Sequence, residues 1–215
     1  MSLMGLDIGT TGCKATVLNE TGEQLAYAYQ EYDLVKSGPG MMELDSKSVW
    51  QKIRSVIQQT AGQVKSDPVT ALSISSLGEA MTPVSANREI LGNSILGFDP
   101  RGPEFMDLYR QHFTDEELFN VTGNLLANIY SVTKLIWIKH HQPELFEKTD
   151  KFLFWADLVY YLLGCDAVTD YSLANRSLLF DITESNWSAK ILALTGISGT
   201  KLPRVVPAGT VADQL

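Results

Sequence analysis

The chain is 215 residues long, 45% hydrophobic and 20% charged, with 17 basic against 25 acidic residues and a net charge of −8. That is the balance of a globular protein with enough chain for a sizeable core. It excludes a disordered chain, and the acidic excess argues against non-specific nucleic-acid binding, which needs Lys and Arg to displace counterions.

In chain order, the apolar-rich Leu3–Ile8 predicts a strand that stops at Gly9-Thr10-Thr11-Gly12. Cys13–Leu18 reads as a second strand, Asn19–Gly22 as a turn, and Gln24–Tyr32 as a third strand carried by Tyr27, Tyr29 and Tyr32. Tight turns between such runs predict a meander. Ser37-Gly38-Pro39-Gly40 is a loop. Ser46 is placed to cap a helix whose apolar positions Val49, Trp50, Ile53, Val56, Ile57, Ala61 and Val64 follow helical spacing, ended by Asp67-Pro68. Val69–Ile74 reads as a buried strand and Met81–Ser85 as another. From Pro100 the pattern turns helical, with candidates at Glu104–His112, Asp115–Val121, Val132–His141, Trp155–Leu163 and Ala189–Leu194. No repeat or charge block interrupts it. The expectation is one α/β domain with a helical second half.

Phe152–Ala156 and Leu158–Cys165, split by Asp157, fall far short of the roughly 20 apolar residues that span a bilayer, so no membrane segment is expected. No basic-then-apolar leader opens the chain, and the expected location is cytoplasmic. Cys13 and Cys165 are too few for a disulfide framework and sit among apolar residues, which predicts reduced, buried thiols. His112, His140 and His141 read as surface residues rather than as a metal cluster, since adjacent helical positions diverge by about 100°.

The most informative stretch is Asp7-Ile8-Gly9-Thr10-Thr11-Gly12-Cys13-Lys14. It joins two strands and matches neither a Walker loop nor a dinucleotide fingerprint. A turn with two glycines exposes successive backbone N–H groups, and Thr10 and Thr11 add hydroxyls, which together make a phosphate-binding concavity. Asp7, ending the first strand, is placed to hold a hydrated Mg²⁺ beside those phosphates. An ordinary hairpin with common turn residues is the other reading.

Asp-Ile-Gly-Thr-Thr followed by further strands resembles the first phosphate loop of the actin-like ATPase superfamily. Several later segments resemble the FGGY carbohydrate kinases in that family's order. They are Met42-Glu43-Leu44-Asp45 with Trp50, Ile95–Arg101, Tyr130–Trp137, Asp170–Asp181, Leu194–Ile197 and Leu202–Val205. The resemblance spans nearly the whole chain. It implies an α/β, ribonuclease H-like (actin-like ATPase) domain, a mixed β-sheet flanked by helices with a helical insertion, occupying residues 1–215 as the family's N-terminal domain. It implies ATP-dependent phosphorylation of a sugar, polyol or sugar-acid hydroxyl, with ATP and Mg²⁺ as cofactors. Asp7 would bind the metal; Gly9, Thr10, Thr11 and Lys14 would take the phosphates. Gly78, Glu79, Asp99 and Arg101 would meet the acceptor, Glu79 because a carboxylate accepts two hydroxyl hydrogen bonds. Lys134, Trp137, Asp170 and Arg176 read as structural. Asp99 and Arg101 also read as an ion pair shaping their loop, and Lys14 also as a solvated strand residue.

Departures from the family pattern carry information. Gly78 and Ile129 stand where glycerol kinases place Arg and Tyr, and Gly97 where many family members place Trp; these missing contacts to a small triol argue for a larger sugar or a sugar acid. The family's catalytic Asp lies in a glycine-rich segment beyond the "L-P-x-V" stretch, and Asp213, the last acidic residue here, lacks that context. No catalytic base is therefore assigned within the chain. It is expected to end before the base and before a second, nucleotide-closing domain, to be inactive alone, and to associate with that domain or as a homodimer. A non-catalytic sugar-binding or regulatory module with the same fold is the competing reading.

Overall fold

The computed structural model describes residues 1–214; Leu215, the last residue of the expected domain, lies outside them. The strands in chain order are β1 (Ser2–Ile8), β2 (Gly12–Leu18), β3 (Gln24–Glu31), β4 (Glu43–Leu44), β5 (Val69–Ser76), β6 (Met81–Val84), β7 (Ser94–Ile95), β8 (Lys151–Phe154), β9 (Val168–Asp170), β10 (Phe180–Asp181), β11 (Asn186–Trp187) and β12 (Arg204–Val206). The helices are α1 (Ser46–Gln63), α2 (Met106–Arg110), α3 (Asp115–Thr122), α4 (Ser131–His141), α5 (Pro143–Lys148), α6 (Trp155–Leu163), α7 (Tyr171–Asn175) and α8 (Ala189–Thr195). They fall into two compact units, Met1–Val35 with Leu44–Leu77, and Lys36–Glu43 with Gly78–Leu215.

The first unit is a four-stranded mixed sheet in the order β3-β2-β1-β5. β1 and β2 pair antiparallel from Leu3↔Leu18 to Ile8↔Cys13, which places Asp7 opposite Lys14 at the turn end. β2 and β3 continue the meander, and β5 joins β1 in parallel after the α1 crossover. Alternation along β1 and β2 buries Leu6, Ile8, Cys13, Ala15 and Val17, and α1 buries Val49, Ile53 and Val56 as it packs on β2 and β3. Each such Val, Leu or Ile adds roughly 1.5–3 kcal/mol on burial. Two expectations need correction. The α1 cap is Asp45, whose Oδ1 accepts from the Lys47 and Ser48 amides at 3.1 and 3.0 Å; Ser46 is the first helical residue. β5 is not buried: its residues alternate between half-buried and exposed because it is the edge of the sheet, paired on one side only among the described residues.

The second unit is built around β6 and β8, antiparallel from Met81↔Phe154 to Val84↔Lys151, with α6 following directly. Phe152, Phe154, Trp155, Leu158, Val159 and Leu135 are fully or almost fully buried there. β9 and β12 pair in parallel and β10 and β11 form a short hairpin. The helix expected over Glu104–His112 is instead a 3₁₀ turn at Pro103–Phe105 followed by the short α2. Cys13 and Cys165 are free and buried, and burial pushes the Cys13 thiol up to about 11. All three histidines are exposed; His140 stacks on Phe105 and His141 on Trp137. Among the described residues no helix is long and apolar enough to cross a membrane.

Candidate functional site

The first unit presents the glycine-threonine turn at the end of β1. The Gly9 amide donates to the Gly12 carbonyl at 2.9 Å, closing the loop. From below, the Tyr32 hydroxyl lies 2.6 Å from the Gly9 carbonyl and 3.0 Å from that of Gly12, and the Tyr32 amide donates to the Thr11 carbonyl. The Gly9, Thr11 and Gly12 carbonyls are thus satisfied on the protein side. Among the described residues no partner engages the amides or hydroxyls of Thr10 and Thr11. Asp7 and Lys14 face each other across the ladder, Nζ to Oδ2 2.9 Å, both side chains about half exposed. The hydrogen bond from Lys14 to Asp7 raises the Lys14 pKa above its ordinary value. A carboxylate, an ammonium and free N–H and O–H donors at one turn are the donor set that a metal-bound polyphosphate needs. Among the described residues no three His, Cys, Asp or Glu gather into a metal cage, so a cation at Asp7 would keep most of its water.

The second unit carries the other sequence-predicted residues. Asp99 and Arg101 form a bidentate pair: Nε donates to Oδ1 and Nη2 to Oδ2, both at 2.8 Å. Nη2 also meets Glu43 Oε1 at 2.8 Å, and the guanidinium lies over the Trp137 ring at 4.8 Å. The side chains of Asp99 and Arg101 are 0% and 5% exposed. Burial pushes the Asp99 carboxyl up, but hydrogen bonds from Arg101 and from the Met42 amide outweigh it and hold the group below the usual carboxylate range. Lys134, also buried, donates to the carbonyls of Arg101 at 2.9 Å and Asn128 at 2.6 Å, pinning the loop to the start of α4. Burial lowers its pKa to about 8.

Between those fixed loops sits Glu79, whose backbone is left-handed at φ 59°. Its carbonyl accepts from the Ser131 hydroxyl, and its carboxylate pairs with Arg176, Nε to Oε1 2.6 Å, with Nη2 on the same oxygen. Gly97 lies close by: a Cβ there would meet the Ile129 carbonyl at 2.8 Å and the Glu79 Cβ at 3.2 Å. Phe98 and Ile129 stay exposed beside it, at 58% and 40%. Gly78 is overlain by the stem of Arg176, whose Cγ would be 3.2 Å from an added Cβ. The sequence reading singled out Gly78 and Glu79 but treated Arg176 as structural. Glu79 and Arg176 stand 97 positions apart, and no spacing signal links them.

The family model described as "FGGY family of carbohydrate kinases, N-terminal domain" matches residues 2–215. The chain belongs to that family. Among curated FGGY relatives it is 29% identical over 206 residues to a xylulose kinase of Bacillus subtilis (95% of this chain, 41% of the relative). It is 27% identical over 223 residues to an autoinducer-2 kinase of Salmonella typhimurium (99% and 41%). Among solved structures it superposes on a xylulose kinase from Rhodospirillum rubrum with TM-score 0.91 and 24% identity (99% and 44%). Plasmodium falciparum glycerol kinase with ADP gives TM-score 0.87 at 19% identity (95% and 42%). These likenesses establish the actin-like ATPase fold expected from the sequence, with its mixed sheet flanked by helices. The chain spans about two fifths of the length of the relatives it matches.

Proposed function

We propose that this chain supplies the phosphate-binding turn and the acceptor-binding residues of an ATP-dependent kinase acting on a hydroxyl of a sugar, polyol or sugar acid. The observation that carries the reading is the turn at Gly9–Gly12, whose Gly9, Thr11 and Gly12 carbonyls are engaged from the protein side while the Thr10 and Thr11 donors are left for a ligand. Asp7 would hold a hydrated Mg²⁺, which neutralises charge developing on the transferred phosphoryl group. Thr10 and Thr11 bind and orient the terminal phosphates, and Lys14, released from Asp7, adds a point charge to them. Such transfer depends mainly on positioning and charge neutralisation, so rigid placement of these groups is itself the contribution.

On the acceptor side, Glu79 accepts a hydrogen bond from a hydroxyl; the space beside Gly78 is filled by the stem of Arg176 and Gly97 abuts Ile129 and Glu79, so neither glycine by itself opens room for a larger ligand. Asp99 and Arg101 act by holding the loop that carries Gly97 and Phe98, since both Asp99 oxygens and the Nε and Nη2 of Arg101 are spent on each other, on Glu43 and on Met42. The partners implied are ATP, Mg²⁺, a small carbohydrate and the remainder of an FGGY kinase, in the cytoplasm. The test is a coupled ADP-release assay on the protein encoded by the whole reading frame. The panel holds pentuloses, hexoses, polyols and aldonates, for the wild type and for Asp7→Asn. Multiple turnovers lost in Asp7→Asn support the proposal. No turnover with any acceptor refutes it.

A further inference from the structure

Glu79 is mostly buried, its side chain 16% exposed, while that of Arg176 is 37% exposed. Both Arg176 contacts fall on one oxygen, Oε1. Among the described residues no donor reaches Glu79 Oε2 and no acceptor reaches Arg176 Nη1. The pair therefore leaves one acceptor, Oε2, and one donor group, Nη1, without a partner among the described residues.

The surroundings hold this arrangement still. Arg176 follows α7, its amide donating to the Leu173 carbonyl at 3.0 Å, and its own carbonyl accepts from the Ser131 amide. The neighbouring Asn175 is tied to Asn124 Nδ2 at 2.8 Å and to the Thr122 carbonyl at 2.7 Å. The guanidinium lies over the Tyr130 ring at 5.1 Å, and its stem fills the space left by the absent side chain of Gly78. Glu79 is held from the other side, its carbonyl by Ser131 and its Cβ against Gly97. A left-handed backbone at a non-glycine residue costs about 1 kcal/mol, which this site sustains to aim one carboxylate.

We propose that Arg176 is a substrate-selecting residue which, with Glu79, reads a vicinal diol of a neutral sugar or polyol. The open oxygen of Glu79 accepts one hydroxyl proton and the free guanidinium edge donates to the adjacent oxygen. This rests on the acceptor reading of Glu79 given above. The pair carries no net charge, so a neutral diol satisfies both groups without leaving a buried ion unmatched. An acceptor carboxylate at the same point would face the Glu79 charge.

The experiment is a cycle between enzyme and substrate in the protein encoded by the whole reading frame. D-xylulose, xylitol, glycerol and D-gluconate are ranked on the wild type, and monodeoxy analogues of the best acceptor are assayed on wild type and Arg176→Met. Deleting one charge-assisted hydrogen bond lowers kcat/KM by about 10–100-fold. The expected result is that Arg176→Met loses this factor on the full acceptor. One monodeoxy analogue loses it on the wild type, and the two losses do not multiply. Thermal melting of Arg176→Met and the same cycle with Arg176→Lys separate recognition from a folding defect. Losses that multiply for every analogue, or a loss tied to the carboxylate of gluconate, overturn the proposal while leaving the kinase reading intact. If no acceptor is phosphorylated, the kinase reading fails, and calorimetric binding of the same compounds decides this one. Non-multiplying losses in affinity support it; no binding, or independent losses, overturns it.

Discussion

Arg101→Met removes the guanidinium that neutralises two buried carboxylates while keeping most of the stem's volume. In the wild type the Asp99, Arg101 and Glu43 side chains are 0%, 5% and 11% exposed, and three contacts of 2.8 Å join them. Without Arg101, two carboxylates are left facing each other out of water. Breaking a buried pair from one side costs about 3–5 kcal/mol. At about 2–4 °C per kcal/mol for a chain of this size, the melting temperature falls by roughly 6–20 °C at pH 7. The pH dependence has a defined sign. In the wild type the Asp99 carboxyl lies below its ordinary value, so its contribution is present above about pH 4 and is lost as pH falls through the lowered folded value. In the variant the amides of Met42 and residue 101 still donate to that carboxyl, but the guanidinium is gone, and burial together with the facing Glu43 charge raises it, so the folded variant binds a proton before the unfolded chain and gains stability as pH falls. The gap between the two proteins therefore narrows from pH 7 toward pH 4, and Asp99→Asn combined with Arg101→Met recovers part of the loss. Differential scanning calorimetry across that range measures it. A shift under about 2 °C at pH 7, or a gap indifferent to pH, would show that the buried network does not hold this loop.

Other expectations follow from the same geometry. Asp7→Asn lowers kcat by at least about 10²-fold, while the half-exposed pair with Lys14 is too wet for its loss to move the melting temperature by more than about 2 °C; turnover kinetics and a melt on the same preparation check both. Tyr32→Phe removes the hydroxyl beneath the turn and costs about 1 kcal/mol, with the KM for ATP rising more than the KM for acceptor. Gly97→Ala drives a methyl into the Ile129 carbonyl and against Glu79, costing about 1–3 kcal/mol and raising the acceptor KM. Lys134 titrates near 8 when folded because it is buried, so stability tied to it rises with pH between about 8 and its unfolded value near 10.4; Lys134→Met removes roughly 2 kcal/mol of that rise, measurable by denaturant melts at pH 7 and 10.

The elements read correctly from the sequence are those whose signal is local. The meander β1–β3, with its turn residues, and α1 and α6, with their apolar runs, form where the residue pattern places them. The α1 start was displaced by one residue because Asp45 and Ser46 are both competent caps, and only the backbone decides which side chain meets the free amides. α5 and α7 are too short to show periodicity, and β8, β9 and β12 are strands only by virtue of distant partners. The hairpin that sets Asp7 opposite Lys14 was legible because its turn is one contiguous stretch of chain. The Arg176 contact with Glu79 was not, because it joins loops far apart in sequence whose meeting depends on α4 and α7 being packed.

Glu79 carries a last consequence. Its left-handed backbone is the conformation glycine adopts freely, so Glu79→Gly would relieve strain even as it deletes the carboxylate. The roughly 1 kcal/mol so gained is set against the two contacts that the carboxylate makes with Arg176, each worth about 1.5–3 kcal/mol, so the ion pair outweighs the backbone preference at residue 79.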